Sequence, residues 1–309
     1  MKINNLLIHL QNSVDAFSFK PRHLERIRAA LPNTCITVAR DNHDFMEQLP
    51  HADCALVWVF KSQWYENAPK LNLLFTPAAG HDWVRKDPSG RVQPCYGSYH
   101  GRIMRESLLS MMLHFNRRMA MTIEDQKKRV WGRLAYSDCV SLFSQQVLIV
   151  GYGSLGKSIG EMLNWFGARV VGVKRQVTDA DTNAAVDRLI PFARLEEELP
   201  HADHVVLLLP GGEETNGIFT AKHFSAMKPG ACLYNLGRGN CCQEEDLLDA
   251  LNDGALQGAG LDVFAEEPLP MESRLWDHPK VLITPHSSAI SREYIDLFIE
   301  EWLGVVNSL

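Results

Sequence analysis

The stretch "VLIVGYGSLGKSIGEMLNWFGARVVGV", residues 147–173, decides the fold of this chain. An apolar run leads into Gly151, Gly153 and Gly156, spaced as G-x-G-x-x-G, and a helical segment and a second apolar run follow. In such a unit the first glycine permits a tight turn, the second lets the backbone approach a pyrophosphate, and the third lets the helix pack on the strand. Because all these parts are in place, the stretch predicts a dinucleotide-binding unit.

Both ends of the helix in this unit carry matching signals. Its first residues, Ser154 and Leu155, would present backbone N–H groups and the positive end of the helix dipole to the phosphates. Gly167 stands where a glycine commonly ends a helix before the next strand. We therefore expect the helix to begin at the phosphate site and to end at this glycine.

The segment after the second strand bears on which dinucleotide is bound. An Asp or Glu at this place commonly accepts hydrogen bonds from the adenosine ribose of NAD. Here the place holds Lys174 and Arg175, and no acid comes before Asp179. The two cations could hold a 2′-phosphate, and Arg175 could also stack on the adenine; alternatively, both are solvated loop residues and NAD is bound. The sequence favours NADP over NAD.

Length and composition suit a protein of two α/β domains with small-molecule partners. The chain has 309 residues, of which 46% are hydrophobic and 22% charged, and these values are typical of a globular protein with a large core. The net charge is −6 and no block is rich in Lys and Arg, so no nucleic-acid partner is expected.

The sequence predicts a cytoplasmic protein. The first ten residues, "MKINNLLIHL", predict a strand rather than a signal peptide because Asn4 and Asn5 interrupt the apolar run. The longest apolar runs, such as "VVLLL" (205–209), are too short to span a membrane. Seven scattered cysteines without a C-x-x-C spacing predict reduced thiols, and no metal site is expected.

Short apolar runs alternate with amphipathic segments along the chain, as parallel strands buried between helices do. Two series of strands are predicted: 6–10, 35–39, 54–60 and 72–76, and then 146–150, 169–173, 204–209, 232–236, 258–263 and 281–284. The runs "LPHADCALVWV" (49–59) and "LPHADHVVLLL" (199–209) share a helix end, a turn and a strand start. Two α/β domains of related topology would produce this echo, and so could chance.

Residues 99–134, between the two series, predict one long helix that joins the domains. Its apolar positions recur at helical spacing: Ile103, Leu108, Met111, Met112, Phe115 and Met119. A further helical segment, residues 291–309, is expected to return to the first domain.

Three C-terminal segments place polar residues just beyond buried strands, where open α/β sheets bind ligands. They are "NLGRGN" (235–240), "GLDVFAEEPLP" (260–270) and "TPHSSAI" (284–290). Arg238 could bind a carboxylate and polarise a carbonyl oxygen. His286 is a candidate proton donor and acceptor, and Glu267 could pair with it and favour the imidazolium. Taken singly, each of them could also be an ordinary surface residue.

In the order and spacing of these motifs the chain resembles the D-isomer-specific 2-hydroxyacid dehydrogenases. The resemblance runs from about residue 131 to 290 and rests on Trp131 and on "VGYGSLG", "LLLPGGEETNGIF", "LGRGN", "GAGLDVFAEEPLP" and "LWDHPKVLITPHSSA". The N-terminal half is less typical, although "TPAAGHDWV" (76–84) is similar to the substrate loop of the family.

The resemblance implies an α/β fold of two doubly wound domains, with a Rossmann cofactor domain inserted into a flavodoxin-like substrate domain. Residues 1–98 and 287–309 would form the substrate domain, and residues 99–286 the NAD(P)-binding domain. The active site would lie in the cleft, and a homodimer would form through the cofactor domain.

The resemblance also implies roles for single residues. Arg238 would bind the carboxylate and carbonyl of the substrate, and Glu267 and His286 would be the acid/base pair. Asp262 matches the acid that orients the nicotinamide carboxamide. The backbone at Ala79 and Gly80 matches the loop that receives the substrate carboxylate.

Two departures from the family pattern affect the expected contacts. Gly211 and Gly212 follow the strand-end proline, Pro210, where the family often has a threonine; Thr215 or backbone N–H groups would then contact the cofactor phosphate. Arg105-Glu106 replaces the usual Ala-Glu, so the extra cation either favours a more acidic substrate or pairs with Glu106.

The implied reaction is the reduction of a small 2-oxo acid, of the glyoxylate or hydroxypyruvate type, to the D-2-hydroxy acid. The hydride would come from NADPH or NADH, and the proton from His286. A phosphoglycerate-type dehydrogenase of the same family is one alternative, and a catalytically silent dinucleotide-sensing protein is another. Glu267 stands where formate-type dehydrogenases usually have a glutamine, which disfavours that activity.

Overall fold

The computed structural model describes residues 3–178 and 186–308, so Asp179 lies outside the described residues. The chain divides into two compact units. The first runs up to His100 and resumes at Ile290, and the second comprises Gly101–Ala289. The boundaries expected from the sequence, 98/99 and 286/287, differ from these by a few residues.

The first unit is built on a parallel sheet of five strands in the order β2-β1-β3-β4-β5, which is the flavodoxin-like order. The strands are β1 (Asn5–His9), β2 (Cys35–Val38), β3 (Cys54–Val57), β4 (Leu73–Thr76) and β5 (Pro94–Tyr96). The helices are α1 (Pro21–Ala30), α2 (Asn42–Gln48) and, from the C-terminal segment, α9 (Tyr294–Ser308). Helix α9 packs on α1, where Arg22 Nη2 lies 2.8 Å from the Asp296 carboxylate.

The second unit contains a parallel sheet of seven strands in the order β12-β11-β10-β9-β6-β7-β8. The strands are β6 (Gln146–Val150), β7 (Arg169–Lys174), β8 (Arg188–Pro191), β9 (His204–Leu207), β10 (Ala231–Asn235), β11 (Leu256–Leu261) and β12 (Val281–Ile283). The helices are α3 (Gly101–Asn116), α4 (Met119–Lys128), α5 (Ser154–Trp165), α6 (Leu195–Glu198), α7 (Ala221–Ala226) and α8 (Glu244–Asn252). Counted from β6, this is the Rossmann order with one strand added, so the predicted fold class is confirmed.

Successive side chains of the central strand β6 point to opposite faces of the sheet, and both faces are buried. Val147 and Ile149 point into the apolar cluster that contains the buried residues of α3 and α5. Leu148 and Val150 point into the cluster on the other face, which contains the buried residues of α7 and α8. Both faces are therefore covered, as expected for an all-parallel sheet.

The prediction of a single helix over residues 99–134 is wrong, because the chain turns between α3 and α4. Arg118 adopts the left-handed conformation, with φ 51°. The predicted apolar positions of α3 from Leu108 to Phe115 are buried, whereas Met119 is 40% exposed. Helix α3 ends where its side chains no longer pack against the core. No Pro or Gly in the sequence marks the break between α3 and α4.

Two strands were not predicted. Strand β5 has only three residues, begins with a proline and is partly exposed. Strand β8 begins with an arginine and ends with a proline. Both are edge strands, which need neither length nor continuous apolar character, so the apolar pattern does not show them.

The echo between residues 49–59 and 199–209 corresponds to the same local structure in both units. Leu49–His51 and Leu199–His201 each form a single 3₁₀ turn that leads into a central strand. The aspartate after each turn accepts a hydrogen bond at the start of a neighbouring strand: Asp53 from Asn5 N, and Asp203 from Gln146 N. The sequence shared by the two segments therefore forms the same connection between a helix end and a strand in both units.

Candidate active site

The glycine loop after β6 has the geometry that a dinucleotide phosphate requires. Gly151 has φ 101°, and a Cβ there would lie 2.8 Å from the Leu208 carbonyl, so only glycine fits. A Cβ at Gly156 would lie 3.0 Å from Gly151 O, which shows how closely the helix packs on the loop. At Gly153 a Cβ would meet no atom within 4 Å, so the space in front of the loop is open. The loop fits a bound pyrophosphate.

Helix α5 begins directly at this open space. Ser154 is its first residue and Gly153 its N-cap, so backbone N–H groups and the positive dipole end point towards the loop. The helix ends as expected: Gly167 has φ 75° and donates a backbone hydrogen bond to Asn164 O at 2.9 Å. The first turn of α5, with Ser154 and Leu155, lies where the sequence placed it.

The two cations at the end of β7 lie at the carboxyl edge of the same sheet. Lys174 is the last residue of β7 and is half-buried, and Arg175 follows it with a side chain that is 77% exposed. Arg175 Nη2 is 2.5 Å from the Glu214 carboxylate, which belongs to the loop after β9. Sequence reasoning missed this partner, because no local pattern connects two residues that are far apart along the chain.

The loop after β9 changes what can be expected of Thr215. Its hydroxyl donates to Pro210 O at 2.7 Å and lies 3.2 Å from Gly212 O, and the residue is buried. A hydroxyl has one proton to donate, and this one is used inside the loop. The contact from Thr215 to a cofactor phosphate stays a prediction, and it would require this hydroxyl to change partner. Pro210, in contrast, is exposed at the strand end.

Arg238 lies in a tightly folded loop after β10. The buried Asn235 shapes the turn: its Oδ1 accepts from Gly237 N at 3.1 Å, and its Nδ2 donates to Arg238 O at 3.1 Å. The guanidinium donates to Gly237 O at 2.9 Å, and a Cβ at Gly211 would lie 3.3 Å from Arg238 Cγ. The glycine found in place of the family's threonine therefore leaves room for the stem of Arg238.

His286 and Glu267 are paired as predicted from the sequence. His286 Nδ1 is 2.7 Å from Glu267 Oε2, and the other carboxylate oxygen of Glu267 accepts from Phe264 N at 3.0 Å. An ionised carboxylate only accepts hydrogen bonds, so Nδ1 carries a hydrogen. This leaves Nε2 as the ring nitrogen that can exchange a proton with a ligand.

Asp262 holds the turn that carries His286, a role that sequence reasoning missed. The carboxylate is fully buried and accepts from Thr284 Oγ1 at 2.5 Å, Ser287 N at 2.8 Å and Ser288 N at 3.1 Å. His286 N donates to Asp262 O at 2.8 Å. These bonds maintain a left-handed backbone at His286, φ 49°, which costs about 1–3 kcal/mol in a non-glycine residue. The available signal was an Asp directly after a buried strand.

The expected substrate loop of the first unit follows β4. Thr76 Oγ1 accepts from Ala78 N at 3.2 Å and so shapes its start. Ala79 is exposed and Gly80 is half-buried. In the second unit, Arg105 makes no ion pair with Glu106 within the described residues, since consecutive residues of a helix do not face each other.

No group of three His, Cys, Asp or Glu side chains in the described ranges is arranged to hold a metal ion. Among the helices of the same ranges, none combines the length and apolar character that a bilayer span requires.

Comparison with known proteins agrees with this geometry. The family model "D-isomer specific 2-hydroxyacid dehydrogenase, NAD binding domain" matches residues 109–288. The glyoxylate/hydroxypyruvate reductase A of Serratia proteamaculans (strain 568) is 34% identical over 252 residues, which cover 78% of this chain and 78% of that protein.

Solved structures show the same fold. A D-isomer specific 2-hydroxyacid dehydrogenase from Xanthobacter autotrophicus Py2, in complex with NADPH and MES, matches with a TM-score of 0.82 and 26% identity over 99% of this chain and 95% of that one. An NADPH-dependent glyoxylate/hydroxypyruvate reductase from Sinorhizobium meliloti, in complex with NADP and sulfate, matches with a TM-score of 0.78 and 28% identity over the same shares. The chain is thus an NAD(P)-dependent oxidoreductase, and it belongs to the D-isomer-specific 2-hydroxyacid dehydrogenase family.

Proposed function

We propose that this enzyme reduces a small 2-oxo acid of the glyoxylate or hydroxypyruvate type to the D-2-hydroxy acid, with NADPH as its preferred reductant. The observation that carries the proposal is the pair of His286 and Glu267, held at 2.7 Å in the same unit as Arg238 and the glycine loop. The reductases from Serratia and Sinorhizobium support the substrate class.

The chain's own residues supply binding, orientation and the proton. The reduced nicotinamide, when bound, supplies the hydride. Arg238 binds the substrate carboxylate and stabilises the negative charge that develops on the carbonyl oxygen. His286 gives the Nε2 proton to that oxygen, and Glu267 holds the ring and stabilises its charged form. Asp262 acts through the backbone, because it fixes the turn on which His286 stands.

We assign cofactor contacts to the glycine loop, the first turn of α5 and the edge of the loop after β9. The loop residues Gly151, Gly153 and Gly156 and the helix start at Ser154 would receive the pyrophosphate. Pro210 would lie beside the nucleotide, and Lys174 and Arg175 would hold the 2′-phosphate. In the first unit, the backbone at Ala79 and Gly80 is proposed as the receptor of the substrate carboxylate.

Initial rates with both reductants test this proposal. Glyoxylate, hydroxypyruvate, pyruvate and 3-phosphohydroxypyruvate would each be offered with NADPH and with NADH. Turnover of the first two that favours NADPH is expected. Turnover of the phosphorylated acid alone would move the assignment to a phosphoglycerate-type dehydrogenase. Tight NADPH binding without turnover of any oxo acid would indicate a sensing protein.

We further propose a homodimer that forms through the second unit. Aromatic and aliphatic side chains between α4 and β6 are exposed, among them Trp131 at 89% and Leu134 at 92%, and Trp165 at the end of α5 is 81% exposed. Phe143, which lies against Gly167, and Phe166 are exposed as well, and exposed apolar patches commonly mark an interface. Sedimentation should give the mass of two 34.8-kDa chains, and Trp131→Glu with Leu134→Glu should give one. A monomeric parent protein would contradict the proposal.

We also place the protein in the cytoplasm. All seven cysteines have free thiols, and those of Cys35 and Cys95 are exposed, which suits a reducing compartment. Cell fractionation with an antibody to the chain would test this location.

A further inference from the structure

The ion pair of Arg175 and Glu214 spans the mouth of the nucleotide site. Arg175 follows β7 and Glu214 belongs to the loop after β9, and these two strands flank β6 in the sheet. Neighbouring strands are about 4.8 Å apart, so the pair bridges two strand spacings. The bridge therefore crosses the carboxyl end of β6, where the glycine loop begins.

The backbone at Glu214 is held in a hydrogen-bonded turn. It stands in the single 3₁₀ turn Glu213–Thr215, which follows Gly212 with φ 146°. The buried Thr215 ties this turn to Pro210 O at 2.7 Å. Both side chains of the pair are exposed, Arg175 by 77% and Glu214 by 74%. The guanidinium, on the longer side chain, can therefore change partners while the turn that carries Glu214 stays in place.

We propose that Glu214 is the counter-ion that the 2′-phosphate of NADPH displaces from Arg175, and that it limits the preference for NADPH over NADH. The inference rests on the proposed binding of the 2′-phosphate by Arg175. A phosphate presents more charge and more acceptor oxygens to a guanidinium than a carboxylate does. NADH has a hydroxyl in its place and leaves the ion pair intact. Glu214 therefore weakens NADPH binding and has little effect on NADH binding.

Direct binding measurements on the full chain test this inference. Dissociation constants of NADPH and NADH would be measured by fluorescence titration for the parent protein and for Glu214→Gln. Exposed ion pairs shift equilibria about two- to fivefold, so NADPH should bind tighter by that factor while NADH changes far less. Glu213→Gln is the matched control, because it removes the same charge one residue away and should have a smaller effect on NADPH.

Three results would overturn the inference: weaker NADPH binding in Glu214→Gln, equal changes for the two nucleotides, or an equal effect of Glu213→Gln. Arg175→Gln separates this inference from the cofactor assignment. If Arg175→Gln loses the NADPH preference and Glu214→Gln changes nothing, only the role of Glu214 is rejected. If Arg175→Gln keeps the preference, both are rejected. Circular dichroism of each variant shows whether it folds as the parent does.

Discussion

At the scale of single residues, the two oxygens of Glu267 do different things, and a conservative variant separates them. Oε1 accepts from Phe264 N at 3.0 Å, and Oε2 faces His286 Nδ1 at 2.7 Å. In Glu267→Gln one oxygen can still bind Phe264, but an NH₂ group then faces the histidine. The imidazolium loses its counter-charge, so turnover should fall by about 10²-fold or more, within the range of general acid catalysis.

The measurement for this variant is kcat alongside the dissociation constant of NADPH, which should change little. Glu266→Gln is the control, because it removes the same charge from the neighbouring residue. An unchanged kcat in Glu267→Gln would show that the pair with His286 has no part in the reaction.

Asp262 is predicted to act on both stability and rate. Asp262→Asn keeps the size of the side chain but removes the charge that accepts from Thr284, Ser287 and Ser288. Hydrogen bonds to a charged group contribute about 1.5–3 kcal/mol, so the free energy of unfolding should fall by about that amount. The turn at His286 loosens, so kcat should fall as well.

Chemical denaturation and kcat would be measured for Asp262→Asn and, as a comparison, for Thr284→Val. Thr284→Val removes only the hydroxyl donor and leaves the backbone donors in place, so it should have the smaller effect. Full stability and full activity in Asp262→Asn would contradict the positioning role.

At the scale of elements, two substitutions in the glycine loop should have different effects, one on folding stability and the other on nucleotide binding. Gly151→Ala would place a Cβ 2.8 Å from the Leu208 carbonyl in a backbone of φ 101°, so it should destabilise the fold by about 1–3 kcal/mol. Gly153→Ala meets no atom within 4 Å and should leave stability unchanged. Its methyl group enters the open space of the phosphate site, so NADPH binding should weaken about tenfold or more. Thermal melts and nucleotide titrations of both variants check this, and unchanged binding in Gly153→Ala would contradict the phosphate site.

A buried polar network joins α3 to the sheet and should make stability depend on pH. His204 lies between Tyr234 OH and Gln145 Oε1, each 3.1 Å from a ring nitrogen, and Asn116 of α3 donates to Gln145 at 2.8 Å. Burial lowers the pKa of His204 to about 4 from 6.5. As the pH falls below 6.5, the unfolded chain takes up the proton first, so stability decreases towards pH 4. Between pH 7 and pH 5 the free energy of unfolding should fall by about 2 kcal/mol from this group.

Urea denaturation at the two pH values measures this slope. His204→Gln should reduce it, whereas His201→Gln, in the exposed turn before the same strand, should keep it. Equal slopes in the parent protein and His204→Gln would show that the histidine does not carry the effect.

Elements with a strong local signal could be predicted from the sequence, and elements set by tertiary contacts could not. The glycine loop, α5 and the pair of Glu267 and His286 depend on short motifs that appear directly in the sequence. The break at Arg118 depends on where the core ends, and the ion pair of Arg175 on a loop remote in sequence. Thr215 is predicted at the cofactor because it offers a hydroxyl, and the sequence does not show that this hydroxyl donates to the nearby Pro210 carbonyl.

At the scale of the whole molecule, the chain uses one architecture twice. Both units are parallel sheets with the first strand inside and later strands added on either side. The turns at Leu49–His51 and Leu199–His201 lead into the strands that follow in the same way. Open sheets of this kind bind ligands at the carboxyl ends of their strands. The glycine loop, Arg238 and His286 all lie just after the carboxyl ends of strands, as such a site requires.

In the proposed reaction the enzyme reduces a 2-oxo acid with a proton from His286. The most direct measurement is the rate of NADPH oxidation with hydroxypyruvate for the parent protein and His286→Ala, together with the handedness of the product. We expect rapid formation of the D-hydroxy acid by the parent protein. In His286→Ala the rate should fall by about 10²–10⁴-fold while NADPH still binds. No oxidation by the parent protein, or near-full activity in His286→Ala, would show that this reaction or this proton donor is wrong.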